Sequence, residues 1–248
     1  MAREHRPQPL PPATRTVGQL VAEAIRFYQD HFWRVLPLGF ALAAVNQVTI
    51  NRSLIVQDVV LLAAAPLVTV AYLAASALVT GAKPTRAAFL VGLLTWIPVP
   101  ALIVFYTLPA LAWLAFIGLA LPAAVAERLP VSAALARGRR LGTVDFIHSL
   151  GSITALTLVF GLARTALIFL LRDQADAALR AAVFLGDLVV SPLLYVGSAL
   201  LYQDQAARLD SAGPQRRSDA DVHPAVDPDR PGSPDAEIEP RAAARGEP

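Results

Sequence analysis

The chain has 248 residues, 55% of them hydrophobic and 16% charged, with a mean hydropathy of +0.52 and a net charge of +2. Soluble domains carry about a quarter charged residues, so this composition argues against a water-soluble fold. The lack of cysteine excludes a disulfide scaffold, a thiol nucleophile and any sulfur-ligated metal centre. The four histidines (His5, His31, His148, His223) are too scattered to suggest a histidine metal site.

Residues 1–15 are rich in proline and arginine and read as a disordered segment. Residues 17–28 then repeat apolar side chains at a helical period: Val17, Leu20, Val21, Ala24, Ile25 and Tyr28 share one face, opposite Gln19, Glu23 and Arg26. Thr16 followed by Gln19 has the spacing of a capping box. This helix is too short and polar to span a bilayer. It is expected in the headgroup layer, anchored by Phe27, Tyr28, Phe32 and Trp33.

Six long apolar runs follow: Trp33–Ile50, Leu54–Thr80, Ala87–Tyr106, Pro109–Ala126, Phe146–Leu171 and Ala177–Tyr202. A bilayer core of ~30 Å needs about 20 helical residues, so each run is long enough to be considered a span. None shows the alternation of a lumen-facing strand, and the expected fold is all-α. It is a polytopic membrane bundle of six transmembrane helices with two interfacial amphipathic helices, over residues 16–204. No small-x-small cleavage site follows the first run before Asn51-Arg52, so that run is expected to stay as a span. Eleven cations lie at one set of span ends and only Arg52, Arg172 and Arg180 at the other. The positive-inside rule then places both termini in the cytoplasm of a multi-pass cell-membrane protein.

The second amphipathic helix is expected after Pro130, with Val131, Ala134, Leu135, Gly138 and Leu141 forming its apolar stripe. Laid over the first with Val17 on Val131, it also matches Ala22 with Ala136, Arg26 with Arg140, Phe32 with Phe146 and Leu36 with Leu150. The cations Arg128, Arg137, Arg139 and Arg140 form a candidate contact for anionic lipid, since each cation near an anionic leaflet contributes ~1 kcal/mol. Enforcing topology is the alternative reading of the same arginines.

Residues 121–146 carry a resemblance. Leu121-Pro122-Ala123-Ala124-Val125-Ala126-Glu127 precedes Ala134-Leu135-Ala136-Arg137-Gly138, then Leu141 and Phe146, and the last run ends in Tyr202-x-Asp204 with Arg208 nearby. This order resembles the glycerophosphoryl diester phosphodiesterase membrane domain family, bacterial six-span integral membrane proteins. Gly138 stands where that family often has serine. The resemblance implies a multi-pass membrane protein; the phosphodiesterase of the family name resides in a separate catalytic barrel, which needs roughly 250 residues of its own.

Charges inside the apolar runs are the natural place to look for function. Arg164 in the fifth run and Asp187 in the sixth fall at similar depths, ~12 and ~16 Å from the same end at 1.5 Å per residue, and form a candidate ion pair. Either the pair locks two helices or it lines a hydrated path. Thr157, Gly161 and Thr165, like Ala182 and Gly186, are small residues suited to close helix approach. Asn46, Gln47, Asn51, Arg52, Gln57 and Asp58 gather near the outer ends of the first two runs, as an external vestibule or as ordinary loop-side polarity. Asp145, His148 and Ser149 lie too close along one helix to converge as a hydrolytic triad. No phosphate-binding glycine loop or His-Glu-x-x-His helix is present in the sequence.

From Gln205 to Pro248 nine acidic residues outnumber six arginines among seven prolines, which reads as a disordered cytoplasmic tail. The expected function is a non-enzymatic integral membrane protein: a scaffold, accessory subunit or lipid-interacting module. Its partners would be membrane lipids and proteins met in the membrane or through the tail, with no cofactor and no nucleic acid. A small permease or permease subunit using Arg164 and Asp187 is the alternative.

Overall fold

The computed structural model describes residues 11–222, which contain thirteen α-helices and no strand. The compact unit closes at Ser211. A short 3-10 turn at Pro12–Thr14 leads into α1 (Val17–Asp30), whose start is fixed by the expected capping box. Thr16 N–H donates to Gln19 Oε1 at 2.8 Å, and Gln19 N–H donates to Thr16 Oγ1 at 3.4 Å. The apolar stripe buries Leu20, Ala24 and Tyr28, and α1 lies on α11 (Phe146–Leu170). That face is therefore covered by protein.

The first apolar run is not one helix. It breaks into α2 (Phe32–Val35), a 3-10 turn at Leu36–Gly39 around Pro37, and α3 (Phe40–Thr49). Gly39 permits the turn to pack, because a Cβ there would collide with the Leu188 carbonyl. Asn51, in the left-handed region at φ 58°, reverses the chain into α4 (Leu54–Ala63). Pro66 then bends the path by 53° into α5 (Ala65–Thr80), as expected where a ring removes a donor and crowds the preceding turn. Proline likewise separates α6 (Arg86–Trp96) from α7 (Pro98–Phe105). The chain continues through α8 (Thr107–Ile117), α9 (Ala120–Ala126) and α10 (Val131–Val144), then α11, α12 (Asp176–Val190) and α13 (Pro192–Val222).

Among the described residues, four stretches are long and apolar enough to cross a membrane: Arg86–Ile103, Thr107–Ala126, Phe146–Leu170 and Asp176–Ser211. The bent pair α4–α5 makes a fifth if taken as a single span. The fragmented run at residues 33–50 does not qualify, which is where the expected six departs from the continuous helices observed.

The core combines many buried alanines with leucines, valines and tyrosines. Residues 120–125 are inaccessible to solvent, and α9 is flanked by α5, α6 and α10. Of the stripe expected on α10, Ala134, Gly138 and Leu141 are buried and Val131 and Leu135 half-buried, and Gly142 joins the buried face. A Cβ on Gly138 would fall 2.5 Å from that of Ala120 and 2.6 Å from its backbone N, so glycine is required for the approach. Both amphipathic helices are 14 residues long, and each is followed by one linking residue and a phenylalanine that opens the next helix. Leu20, Ala24 and Tyr28 correspond in register to Ala134, Gly138 and Gly142, and all six are buried. The repeat thus extends to which positions face inward.

Two boundaries move. Arg15, expected in a disordered segment, is buried and paired with Asp204 at 3.1 Å. Gln205, where the disordered tail is expected to begin, is inaccessible to solvent, and Ala206 and Leu209 pack on the core. Falling hydropathy after Tyr202 marks the end of the apolar surface rather than the end of the fold. Residues 1–10 and 223–248 of the two expected disordered segments lie outside the described residues.

Candidate functional site

The fifth and sixth apolar runs deliver Arg164 and Asp187 to one seam, because α11 and α12 pack side by side. Arg164 Nη1 donates to Asp187 Oδ2, and Asn46 Nδ2 of α3 donates to the same oxygen at 3.0 Å. Asp187 is 2% exposed, so its charge is separated from water and held by two donors. Charge-assisted bonds of this kind are the strong ones in a low-dielectric interior. Asn46 belongs to the polar group at the outer run ends, and its part in the pair was not signalled by spacing. It comes from a third helix, which α3 supplies by packing on α12.

Two cavities flank the pair. On one side a vestibule of about 590 Å³ is lined by Asn46, Thr49, Asn51 and Gln57 from the α3–α4 elbow, and by Arg164, Asp176 and Arg180. Its elbow wall is fixed internally: Thr49 Oγ1 donates to Val45 O at 2.9 Å, and Gln57 Nε2 donates to Arg52 O at 2.9 Å. On the other side a groove of about 230 Å³ runs between α11 and α12, lined by Phe160, Ala163, Arg164, Leu167, Gly186 and Val190 with Asp187. Arg164 is the residue common to both. Of the outer polar group, Asn46, Asn51 and Gln57 line the vestibule, while Gln47, Arg52 and Asp58 are not among its lining residues.

Of the small residues, Gly186 does serve close packing, since a Cβ there would lie 2.7 Å from the Leu167 side chain. Gly161 does not: nothing lies within 4 Å of where its Cβ would be.

A second polar cluster lies at the α10–α11 junction. Asp145 caps α11 by accepting from His148 N–H at 3.0 Å, and its other oxygen accepts from Arg208 at 2.7 Å. Arg208 also donates to the Arg15 carbonyl at 2.7 Å, so three distant segments meet at one guanidinium. His148 Nε2 is 3.4 Å from Arg208, and the Ser149 hydroxyl is buried among groups to which it makes no hydrogen bond. Asp145 is thus engaged by a helix terminus and an arginine, not by a serine–histidine pair. Among the described residues no three His, Asp or Glu side chains gather as a metal site.

The four candidate lipid-contact arginines divide. Arg137 Nε donates to Glu127 Oε1 at 3.0 Å, and that oxygen also accepts from Tyr202 at 2.9 Å. Arg128, at φ 53°, is exposed beside Glu127. Arg139 and Arg140 are exposed on the face of α10 away from its buried stripe. The residues carrying the resemblance therefore meet in space: Glu127, Arg137 and Tyr202 form one knot, and Asp204 and Arg208 belong to the cluster around Arg15 and Asp145. No protein-family model, no curated protein and no solved structure matches the chain. The resemblance is borne by these residues alone.

Proposed function

We propose that this chain is a multi-pass membrane protein with no catalytic chemistry of its own, acting as a lipid-interacting module or accessory subunit, with both termini in the cytoplasm. The observation that carries the reading is the outward face of α11, where Leu158, Leu162, Phe169 and Leu170 are each more than half exposed. Soluble monomers rarely expose contiguous apolar patches beyond a few hundred Å². Surrounded by acyl chains, the same face has no solvation cost.

The six-crossing topology is part of this proposal. The broken segment from Phe32 to Thr49 would make the first crossing, with its 3-10 turn shielded by α12, against which it packs. The cations of the α10 region then lie on the cytoplasmic side, where exposed Arg128, Arg139 and Arg140 face anionic headgroups and Arg137 remains with Glu127. The resemblance to the six-span membrane domain family supports the same arrangement.

The permease alternative draws on the Arg164–Asp187 pair, which has a polar cavity on one side and an apolar groove on the other. A single pair does not make a relay, so we favour the lipid-interacting reading.

The test is extraction of cell membranes with alkaline carbonate, combined with reporters fused after Pro248 and within residues 172–175. The expected result is full retention in the pellet, a cytoplasmic signal from the first fusion and an extracytoplasmic one from the second. Release into the supernatant would overturn the membrane reading, and two fusions reporting the same side would overturn the topology.

A further inference from the structure

The vestibule and the groove beside it differ in chemistry but share a wall residue, Arg164. A polar chamber and an apolar slot that meet at one residue offer an amphiphile the opposite surroundings its head and chain need. The charges lining the chamber indicate which head. Arg164 is neutralised by Asp187. Arg180 and Asp176, which also line the chamber, form no salt bridge with each other or with any other described residue, and Asn46, Thr49 and Gln57 add neutral polar groups. Arg164 and Arg180 are thus balanced by Asp176 and Asp187, and the chamber has no net charge to favour an anion over a zwitterion. What it has is separated charge. Asp176 and Arg180 stand one helical turn apart on α12, ~6 Å along its axis, a distance that a phosphate and an ammonium joined through two carbons can bridge.

We infer that this chamber holds the headgroup of a zwitterionic aminophospholipid: its phosphodiester on Arg180 and the outward side of Arg164, its primary ammonium on Asp176, and one acyl chain in the groove between α11 and α12. The inference rests on the lipid-interacting reading above and specifies its ligand. Ala163 is the small residue among the walls that Phe160, Leu167 and Val190 form, and Gly186 lets Leu167 pack against α12. The Arg164–Asp187–Asn46 triad positions the guanidinium without neutralising all of its donors.

The test uses the full chain in detergent and native mass spectrometry with four probes: dihexanoyl phosphatidylethanolamine, dihexanoyl phosphatidylglycerol, dihexanoylglycerol and O-phosphoethanolamine. The first should bind with one-to-one stoichiometry and about tenfold tighter than phosphatidylglycerol, with dihexanoylglycerol weakest. Arg180→Gln should weaken both phospholipids by about tenfold, the loss expected for a charge-assisted bond. Asp176→Asn should erase the preference between them. Ala163→Phe should reduce lipid binding while leaving O-phosphoethanolamine unchanged. All three positions are exposed, so these variants keep the packed core intact. Tighter binding of phosphatidylglycerol, or indifference to Arg180→Gln and Asp176→Asn, would overturn the headgroup assignment. An unchanged lipid affinity in Ala163→Phe would overturn the groove. If carbonate leaves the chain in the membrane while these preferences are absent, the inference fails and the membrane reading stands; release by carbonate would bring down the membrane reading itself.

Discussion

The most apolar 18-residue segments of Thr107–Ala126 and Phe146–Leu170 have the same mean hydropathy, 2.0, yet 61% of the first segment is buried inside the protein and only 11% of the second. The first stretch buries Ala110, Ala115, Ala120, Ala123 and Ala124 together with Ile117, Leu119, Leu121 and Val125, and its alanines let neighbouring backbones approach closely. The second turns Leu158, Leu162 and Phe169 outward and buries only Ser149, Ser152, Ile153 and Leu156. Hydropathy measures what a helix avoids, and packing decides what it meets instead. Close contacts made by small residues inside, with large apolar side chains left outside, are the arrangement expected where acyl chains compete with side chains for apolar contact.

The largest expected effect falls where α11 does make a polar contact. Asp187→Ala leaves the Arg164 guanidinium without its carboxylate in the seam, and losing one partner of a buried pair costs about 3–5 kcal/mol. Thermal unfolding of the purified protein in detergent should show this as a large fall in Tm. The double variant Arg164→Gln with Asp187→Asn should recover most of it. A double variant no more stable than Asp187→Ala would mean that the pair is not what joins the two helices.

Leu162→Lys addresses the environment of the exposed face directly. On a water-facing helix this change is worth within about 0.5 kcal/mol. On a lipid-facing helix a central cation costs about 2.5–3.5 kcal/mol of insertion free energy. Membrane-fraction abundance should therefore fall sharply for Leu162→Lys and remain unchanged for a control at the exposed helix end, such as Asp173→Lys. Equal abundance of the two variants would break the contrast between α11 and α9.

Much of this contrast was legible in the sequence, and what escaped has physical causes. The amphipathic helices were readable to their caps because a 3.6-residue period and a Thr-x-x-Gln box are local signals. Arg164 and Asp187 could be paired by counting depth along consecutive antiparallel helices. Asn46 could not, because which third helix reaches the pair depends on packing alone. The fragmentation of residues 33–50 was hidden by hydropathy, which Pro37 and Gly39 hardly change although they end the helix. Arg15 and Arg208 were lost to the compositional reading of the termini, since Pro- and Arg-rich flanks give no hint that Asp204 and Asp145 wait for them. The vestibule was foreseen only as a cluster of polar residues; that Asn46, Asn51 and Gln57 share a wall with Arg164 and Arg180 depends on how α3 and α4 pack.

The smallest effects come from two glycines with opposite surroundings, one packed against the first of the compared stretches and one within the second. At Gly138 a methyl group would meet the Ala120 backbone, which cannot withdraw without moving α9, so Gly138→Ala should destabilise by about 1–3 kcal/mol, the usual cost of overpacking. At Gly161 a methyl group meets nothing, and the residue lies inside a continuous 25-residue helix. Alanine there costs no contact and removes the conformational freedom that glycine retains when unfolded, so Gly161→Ala should stabilise by about 0.5–1 kcal/mol. The two substitutions add the same atoms and should move Tm in opposite directions. A loss at Gly161 would reveal a close neighbour on the outward face of α11, and a second copy of the chain pressed against that face would be the first occupant to seek by crosslinking.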